Sequence, residues 1–134
     1  MTESKRILIV EDDEDIQEIY RRMIEDTFEG VEVVQRMNGV EGLKAVGERR
    51  PDMVILDLLM PVMNGEEFLN QLRHKLKITD IPVVICSVNQ TLANKLLKHR
   101  EAEAVLPKVF GLGDLVRIVD RFLGLRPKQG APGF

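Results

Sequence analysis

The sequence predicts an α/β fold in which a doubly wound parallel sheet of five strands is flanked by five helices. Two observations predict it: short apolar runs recur along the chain, and segments with a helical spacing of apolar residues separate them. Each return to a parallel strand needs a right-handed crossover, which is normally a helix. At 134 residues the chain has the length of one domain with one core.

Five apolar runs are predicted as strands. Three of them are continuously apolar, as strands buried on both faces should be, whereas the second run alternates and fits an edge strand. In chain order the runs are 7–10, 31–35, 53–56, 81–86 and 104–106. Helical spacing is strongest along 16–28 and 112–123, and shorter helices are predicted at 40–46, 68–72 and 92–97.

The composition excludes several classes of protein. The net charge is -3 and no basic cluster is evident, so direct nucleic-acid binding is not expected. No apolar run approaches the roughly 20 residues of a membrane span, and no signal peptide is expected. The single cysteine, Cys86, excludes an intrachain disulfide, fits a reducing cytoplasmic compartment and is expected in the core.

The domain is predicted to cover residues 1–124. The last ten residues, 125–134, contain two prolines and two glycines without periodicity. They are predicted to be a flexible tail or the start of a linker.

An acidic run, Glu11-Asp12-Asp13-Glu14-Asp15, follows the first strand. Two like charges about 4 Å apart repel by about 4 kcal/mol at an effective dielectric constant near 20, so fold stability alone does not explain the run. Carboxylates do favour helix N-termini, which accounts for roughly the later half. Glu11 and Asp12 are left as candidates for chemistry.

Three further polar residues follow other strands. Asp57 comes directly after the third strand, Ser87 after the fourth and Lys108 after the fifth. If the first and third strands are neighbours, about 4.8 Å apart, Asp57 meets Glu11 and Asp12 in one crevice. Converging carboxylates suit Mg²⁺, which accepts one or two of them together with a phosphate. A lone serine at such a position is normally a helix cap, and a lone lysine is normally a solvated surface residue. Polar residues at the carboxyl ends of four separate strands are much less expected by chance.

Segment 51–65, PDMVILDLLMPVMNG, resembles the phosphorylation-site segment of the receiver domains of bacterial two-component response regulators. Pro61, Met63 and Gly65 stand at that family's offsets after Asp57. The family pattern is also matched by the first strand with its acidic pair, by Ser87 at the hydroxyl position and by Lys108 at the lysine position. The resemblance extends over roughly residues 5–123. It implies the flavodoxin-like strand order 2-1-3-4-5.

The resemblance also implies the roles of the site residues. Asp57 would accept the phosphoryl group of a phosphohistidine on a partner histidine kinase or phosphotransfer protein, and Ser87 and Lys108 would bind the phosphoryl oxygens. Asp12 and Asp57 would ligate Mg²⁺ with the backbone carbonyl of Leu59, and Glu11 through water. The acidic run leaves the register open by one residue, so Asp13 could replace Asp12. The family implies a cytoplasmic switch that is a monomer or a phosphorylation-dependent dimer, not an enzyme beyond self-phosphorylation and self-dephosphorylation.

The sequence departs from the family pattern at three places. Val88 stands where a small residue is usual, Val105 where an aromatic residue is usual, and Pro107-Lys108-Val109 replaces the customary lysine-proline order. These changes favour one alternative, an interaction module of the same fold that no longer switches by phosphorylation. A second alternative, a Mg²⁺-dependent phosphohydrolase, is disfavoured because no separate general base stands near Asp57.

Overall fold

The computed structural model describes residues 4–108 and 110–128, in which strands and helices alternate along the chain. The strands are β1 (Lys5–Val10), β2 (Val31–Arg36), β3 (Met53–Leu56), β4 (Val83–Ser87) and β5 (Ala104–Pro107). The helices are α1 (Glu14–Thr27), α2 (Gly39–Glu48), α3 (Gly65–Asn70), α4 (Gln90–Lys98) and α5 (Leu112–Leu123). The predicted alternation of strand and helix is confirmed.

All five strands are parallel and lie in the order β2-β1-β3-β4-β5, as predicted. The register aligns the strand ends: Val10 lies opposite Leu56 on β3, Leu56 lies opposite Ile85 on β4, and Ser87 lies opposite Pro107 on β5. The residues that follow β1, β3, β4 and β5 therefore meet at one edge of the sheet. β2 is an edge strand whose residues are all half-buried, which agrees with its alternating sequence.

The core has two halves, one on each face of the sheet. Successive side chains on a strand point to opposite faces, so Leu8 and Val10 enter one half whereas Ile7 and Ile9 enter the other. The first half also contains residues of α2, α3 and α4, including Val46, Phe68, Leu69 and Leu96. The second contains residues of α1 and α5, including Tyr20, Ile24, Leu115 and Val119. Helices α3 and α4 thus share one layer, and α5 lies on the opposite side.

Short polar side chains begin the helices at the carboxyl edge of the sheet. The Oδ1 atom of Asp13 accepts hydrogen bonds from the backbone N–H groups of Asp15 and Ile16, at 2.9 and 3.2 Å. Asparagines cap the next three helices in the same way: Asn38 for α2, Asn64 for α3 and Asn89 for α4. These caps satisfy backbone donors that the first helical turn leaves unpaired, and they hold the loops around the site.

Helix α3 continues as one π-helical turn, Gln71–Lys75, which the sequence pattern does not predict. The side chain of Arg73 is buried there, and its guanidinium donates to the backbone oxygens of Glu101 at 3.1 Å and Ile78 at 3.2 Å. It also forms an ion pair with Glu103 at 3.0 Å. The wider turn places Arg73 where it joins the end of α3 to the segment that follows α4.

The segment after α5 returns to the domain. Phe28 and Pro127 form an antiparallel bridge, the N–H of Glu29 donates to the oxygen of Arg126 at 3.1 Å, and the N–H of Lys128 donates to the oxygen of Thr27 at 2.7 Å. Residues 126–128 are therefore held by backbone hydrogen bonds to the end of α1, and the assignment of 125–134 as a flexible tail or the start of a linker stays a prediction. The remainder of that predicted tail, 129–134, lies outside the described residues. Within the described part of the chain, no helix has the length and apolarity of a membrane span.

Val62, in the loop between β3 and α3, has a backbone φ of 70° and a side chain that is 80% exposed. A β-branched residue in this left-handed conformation is strained, whereas glycine is not. We expect Val62→Gly to raise the free energy of unfolding by about 1 kcal/mol. The matched variant Val88→Gly, at an exposed valine with ordinary φ, should not raise it. Urea denaturation checks both, and equal losses of stability would contradict the assignment of strain.

Candidate functional site

Three carboxylates converge where β1 and β3 end. Glu11 is 2% exposed and Asp57 is 3% exposed, while Asp12 beside them is more open to solvent. Each of the three offers an oxygen atom that lies within 4.8 Å of the oxygens of the other two. The structure thus brings together the acidic residues that the sequence places at these two strand ends.

Lys108 connects two of these carboxylates. Its Nζ atom lies 2.8 Å from Glu11 Oε1 and 3.0 Å from Asp57 Oδ2. Lys108 follows β5, so its side chain reaches past the end of β4 to the ends of β3 and β1. One ammonium group therefore neutralises part of the negative charge that two buried strand ends create.

The electrostatics of the site show an excess of negative charge. Burial raises the pKa of Glu11 to about 7; the hydrogen bond from Lys108 opposes this rise, while Asp12 and the charge of Asp57 add to it. Partial burial by itself would lower the pKa of Lys108, but its bonds to Glu11 and Asp57 raise it above the usual lysine value. Lys108 is therefore charged at neutral pH, and Glu11 is easily protonated when no further cation is near.

The backbone around Asp57 is closely held. Its N–H donates to the oxygen of Val10 at 3.0 Å, and its Oδ1 accepts from the N–H of Leu59 at 3.3 Å. Helix α3 starts against this backbone at Gly65, where a Cβ atom would lie 2.4 Å from the carbonyl oxygen of Asp57. Only glycine permits so close an approach, so Gly65 determines how tightly the loop closes below the carboxylate.

Ser87 ends β4 and is fully buried. Its Oγ atom accepts a hydrogen bond from the N–H of Asn89 at 3.2 Å, which uses a lone pair and leaves the hydroxyl proton available to donate. Because Leu56 lies opposite Ile85, Asp57, which follows β3, and Ser87, which ends β4, lie at the same edge of the sheet. The predicted hydroxyl position is thus placed at the carboxyl edge beside the acidic crevice.

The structure separates the roles that the acidic run left open. The carboxylate of Asp13 caps α1, and its N–H donates to Glu11 Oε2 at 3.2 Å. Asp12, and not Asp13, belongs to the cluster with Glu11 and Asp57. The geometry therefore favours Asp12 over Asp13 as a metal ligand.

Gln17 supports the site and was missed by the sequence reasoning. Its side chain is buried on α1, and its Nε2 donates to the oxygens of Glu11 at 2.7 Å and Arg36 at 2.6 Å. It thereby ties the ends of β1 and β2 together beneath the acidic loop. A signal was present: Gln17 precedes Tyr20 by three and Ile24 by seven residues, so a polar side chain occupies the buried face of α1.

An aromatic stack lies in the half of the core that α1 and α5 cover, and it was also not foreseen. The rings of Tyr20 and Phe110 are parallel within 9° with centroids 4.2 Å apart. The hydroxyl of Tyr20 lies 3.0 Å from the sulfur of Cys86, whose thiol has its pKa raised to about 11, chiefly by burial. Cys86 is therefore a core residue, as predicted, while Val105 packs against the other half of the core.

The donor set fits a hard divalent cation. Three carboxylates face a single ammonium group, so the crevice keeps negative charge that a cation would neutralise. Carboxylate oxygens are the preferred ligands of Mg²⁺, which uses few protein ligands and keeps several of its waters. Asp12 is less buried than Glu11 and Asp57, so solvent reaches the cluster on its side.

The family of the chain follows from comparison with known proteins. A family model described as "Response regulator receiver domain" matches residues 7–120. The chain therefore belongs to the response regulator receiver domains of two-component systems. Such domains interact with histidine kinases or phosphotransfer proteins and are in general not enzymes that turn over separate substrates.

Among curated relatives, the response regulator MprA of Mycobacterium sp. (strain KMS) is 34% identical over 112 residues, which are 83% of this chain and 47% of that protein. MprA of Mycobacterium tuberculosis (strain ATCC 25177 / H37Ra) is 33% identical over 114 residues, which are 84% of this chain and 48% of that protein. The chain thus spans about half the length of the curated relatives it matches.

Solved structures agree with this assignment. The chemotaxis protein CheY4 of Vibrio cholerae superimposes with a TM-score of 0.79 at 26% identity, covering 90% of this chain and 99% of that one. The response regulator TrrA of Thermotoga maritima, solved in complex with Mg²⁺-BeF, gives a TM-score of 0.77 at 29% identity, covering 89% of this chain and 99% of that one.

The raised pKa of Glu11 predicts a pH dependence of stability. Between about pH 4.5 and about 7 the folded state holds a proton on Glu11 that the unfolded state has released, so stability falls as the pH rises through this window. Relative to Glu11→Gln, the metal-free wild type is expected to lose more stability over that range. Thermal denaturation of both proteins in the presence of a chelator checks this. Parallel curves for the two proteins would contradict the raised pKa.

Proposed function

We propose that Asp57 accepts a phosphoryl group from a phosphohistidine of a partner histidine kinase or phosphotransfer protein, and that the phosphorylated domain then binds its downstream partner with changed affinity. One observation carries the proposal: Lys108 bridges Asp57 and Glu11 at distances of 3.0 and 2.8 Å, with Asp12 in the same cluster. Phosphoryl transfer requires positioning and compensation of charge, and this arrangement supplies both.

The transfer step can be written for the residues present. A carboxylate oxygen of Asp57 attacks the phosphorus, a new O–P bond forms, and the P–N bond breaks so that the histidine nitrogen leaves with the electron pair. Lys108 stays paired with the site and binds an oxygen of the incoming phosphoryl group. The hydroxyl of Ser87, whose proton is available, donates to another.

The same residues would hold Mg²⁺. In this proposal Asp12 and Asp57 ligate the ion directly, Glu11 acts through water, and the backbone carbonyl of Leu59 completes the protein ligands. Bound Mg²⁺ would neutralise phosphoryl charge beside Asp57. The complex of the related TrrA with Mg²⁺-BeF supports this choice of ion.

The switch is proposed to run through the two groups that bind the phosphoryl oxygens. Ser87 is hydrogen-bonded to Asn89, the residue that caps α4, so a new bond at Ser87 acts on the start of α4. Lys108 stands two residues before Phe110, which stacks on Tyr20 of α1. Phosphorylation would thus bias two elements that already contact the site, as a bistable switch requires.

The partners, oligomeric state and cellular location of the whole protein are proposals, because the chain spans only about half the length of its curated relatives. We infer that this domain itself contacts proteins and not nucleic acid, that it is a monomer or a phosphorylation-dependent dimer, and that it acts in the cytoplasm. The runner-up function, an interaction module that does not switch by phosphorylation, is motivated by two departures from the family pattern: Val88 in place of a small residue and Val105 in place of an aromatic one. Labelling with a phosphodonor separates the two functions.

Replacing Asp57 by Asn should abolish labelling by phosphoramidate and Mg²⁺ without unfolding the protein, because the change removes one of several mutually repelling carboxylates. Intact mass spectrometry measures the phosphoryl group. Asp13→Asn is the matched control: asparagine caps a helix as well as aspartate does, so labelling should persist. Label on Asp57→Asn, or no label on the wild type, would contradict the proposed acceptor.

The phosphoryl group is expected to be lost slowly. Leu59, which is 53% exposed beside Asp57, offers no hydrogen bond to an attacking water, and the side chain of Asn89 is occupied with the N–H of Leu92 at 3.1 Å. A half-life well beyond seconds is therefore predicted, and Leu59→Asn should shorten it several-fold. Leu76→Asn, at an equally exposed but distant leucine, serves as control. Decay of the label after donor removal measures the lifetimes; loss of the wild-type label within seconds would refute the prediction.

A further inference from the structure

A group of exposed cations lies where α3 and α4 end, at the other edge of the sheet from Asp57. We call it the basic corner; its members are Lys75, Lys77, Lys95, Lys98 and Arg100. Residues 71–101 contain six of the nineteen lysines and arginines but only two of the twenty-two acidic residues. No basic run is evident in the sequence because the cations belong to two segments that only the fold brings together.

Buried contacts hold these two segments against each other. The guanidinium of Arg73 binds the backbone oxygens of Ile78 and Glu101, one on each segment. The Nε2 atom of His74 lies 2.9 Å from Glu101 Oε1. The basic corner is therefore a preformed surface and not two independent loops.

The positive charge of the basic corner is not compensated within the described residues. Of the acidic residues around it, Glu103 is paired with Arg73 and Asp80 with Arg50. Glu101 is hydrogen-bonded to His74, and Glu66 lines the neighbouring groove. None of the five cations of the basic corner makes an ion pair in the described part of the chain. A chain with a net charge of -3 thus carries a separate positive surface.

Two of these cations occupy strained backbone positions. Lys77 has φ of 58° and Arg100 has φ of 61°, in the left-handed region where glycine is favoured. Cations do stabilise helix C-termini, but Lys98 and Lys75 already supply that charge in the last turns. Long charged side chains at Lys77 and Arg100 therefore carry a conformational cost that the helix ends do not require.

A groove of about 280 Å³ runs between α3 and α4 beside the basic corner. Leu69 and Leu96 contribute apolar surface to it, and its polar lining combines two glutamates and an asparagine with one lysine and two histidines: Glu66, Asn70, His74, Lys95, His99 and Glu101. Two further leucines are exposed within the basic corner, Leu76 at 49% and Leu97 at 36%. A groove that combines apolar surface with charges of both signs is typical of a site for a protein segment and not for a nucleic-acid backbone.

We propose that the basic corner and this groove form a docking surface for an acidic amphipathic helix of another protein. Leucines on one face of that helix would enter the groove against Leu69 and Leu96, and its carboxylates would face the cations of the basic corner. A helix laid in a groove between two helices is a recurrent mode of peptide recognition. The five exposed cations outnumber the two glutamates of the groove, Glu66 and Glu101, so charge complementarity favours an acidic partner.

Fluorescence anisotropy with a labelled helical peptide, glutamates on one face and leucines on the other, tests the surface on the full chain. Lys77→Gly with Arg100→Gly is the decisive double variant, since it removes two cations while relieving strain. We expect its Tm to rise and its affinity for the peptide to fall by about fivefold to tenfold, because each exposed charge contributes modestly. Arg117→Ala with Arg121→Ala, on α5 in the opposite layer, removes the same charge and should leave the affinity within about twofold.

A second variant tests the apolar part. Leu97→Ser should weaken the peptide while leaving the net charge unchanged, which a purely electrostatic surface would not show. The proposal is overturned if the wild type does not bind the peptide, if both double variants lose affinity equally, or if Leu97→Ser has no effect. Stronger binding of a DNA duplex than of the peptide under the same salt conditions would also overturn it.

Discussion

The site depends on the double ion pair of Lys108. The ends of β1 and β3 bury two carboxylates side by side, an arrangement that desolvation and mutual repulsion oppose. The ammonium group, reaching across from β5, contacts both and joins three of the five strand ends electrostatically. Removing one partner of a buried ion pair typically lowers the free energy of unfolding by about 3 to 5 kcal/mol. The geometry of the carboxyl edge of the sheet therefore depends on the contacts of Lys108. The residual negative charge is what makes the crevice suited to a cation.

The rest of the molecule holds that edge in place from both faces. Gln17 joins the ends of β1 and β2, and Gly65 lets α3 begin directly against the backbone of Asp57. The helix caps hold the loops above the sheet. Because these supports come from different elements, residues of α1, α3, β1 and β2 together fix the position of the acidic cluster. The basic corner lies at the opposite edge, so the chain offers a second, chemically distinct surface to partners.

Sequence reasoning identified most of the fold because the dominant signals are local. A continuous apolar run reflects a strand that is buried on both faces, and a helical spacing of apolar residues reflects a helix that is buried along one stripe. Both patterns can be recognised in a single sequence. It failed where long-range contacts decide. Arg73, in the π-helical turn, binds Glu101 and Glu103 about thirty residues away, and residues 126–128 are joined by backbone hydrogen bonds to the end of α1. Ile19 belongs to the apolar spacing of α1 and is nevertheless 47% exposed, because the helix buries a narrower face than the pattern suggests.

By itself the sequence determined the fold class, the family resemblance and the residue types at the strand ends, since each of these is written in consecutive or regularly spaced residues. It could not decide between Asp12 and Asp13, because both are acidic and adjacent. Only the tertiary structure decided that Asp13 caps α1 and that Asp12 joins Glu11 and Asp57. It also decided that Lys108 reaches both carboxylates and that scattered lysines form one positive surface. Packing sets the distances between residues that are far apart in the sequence, and local sequence patterns do not predict packing.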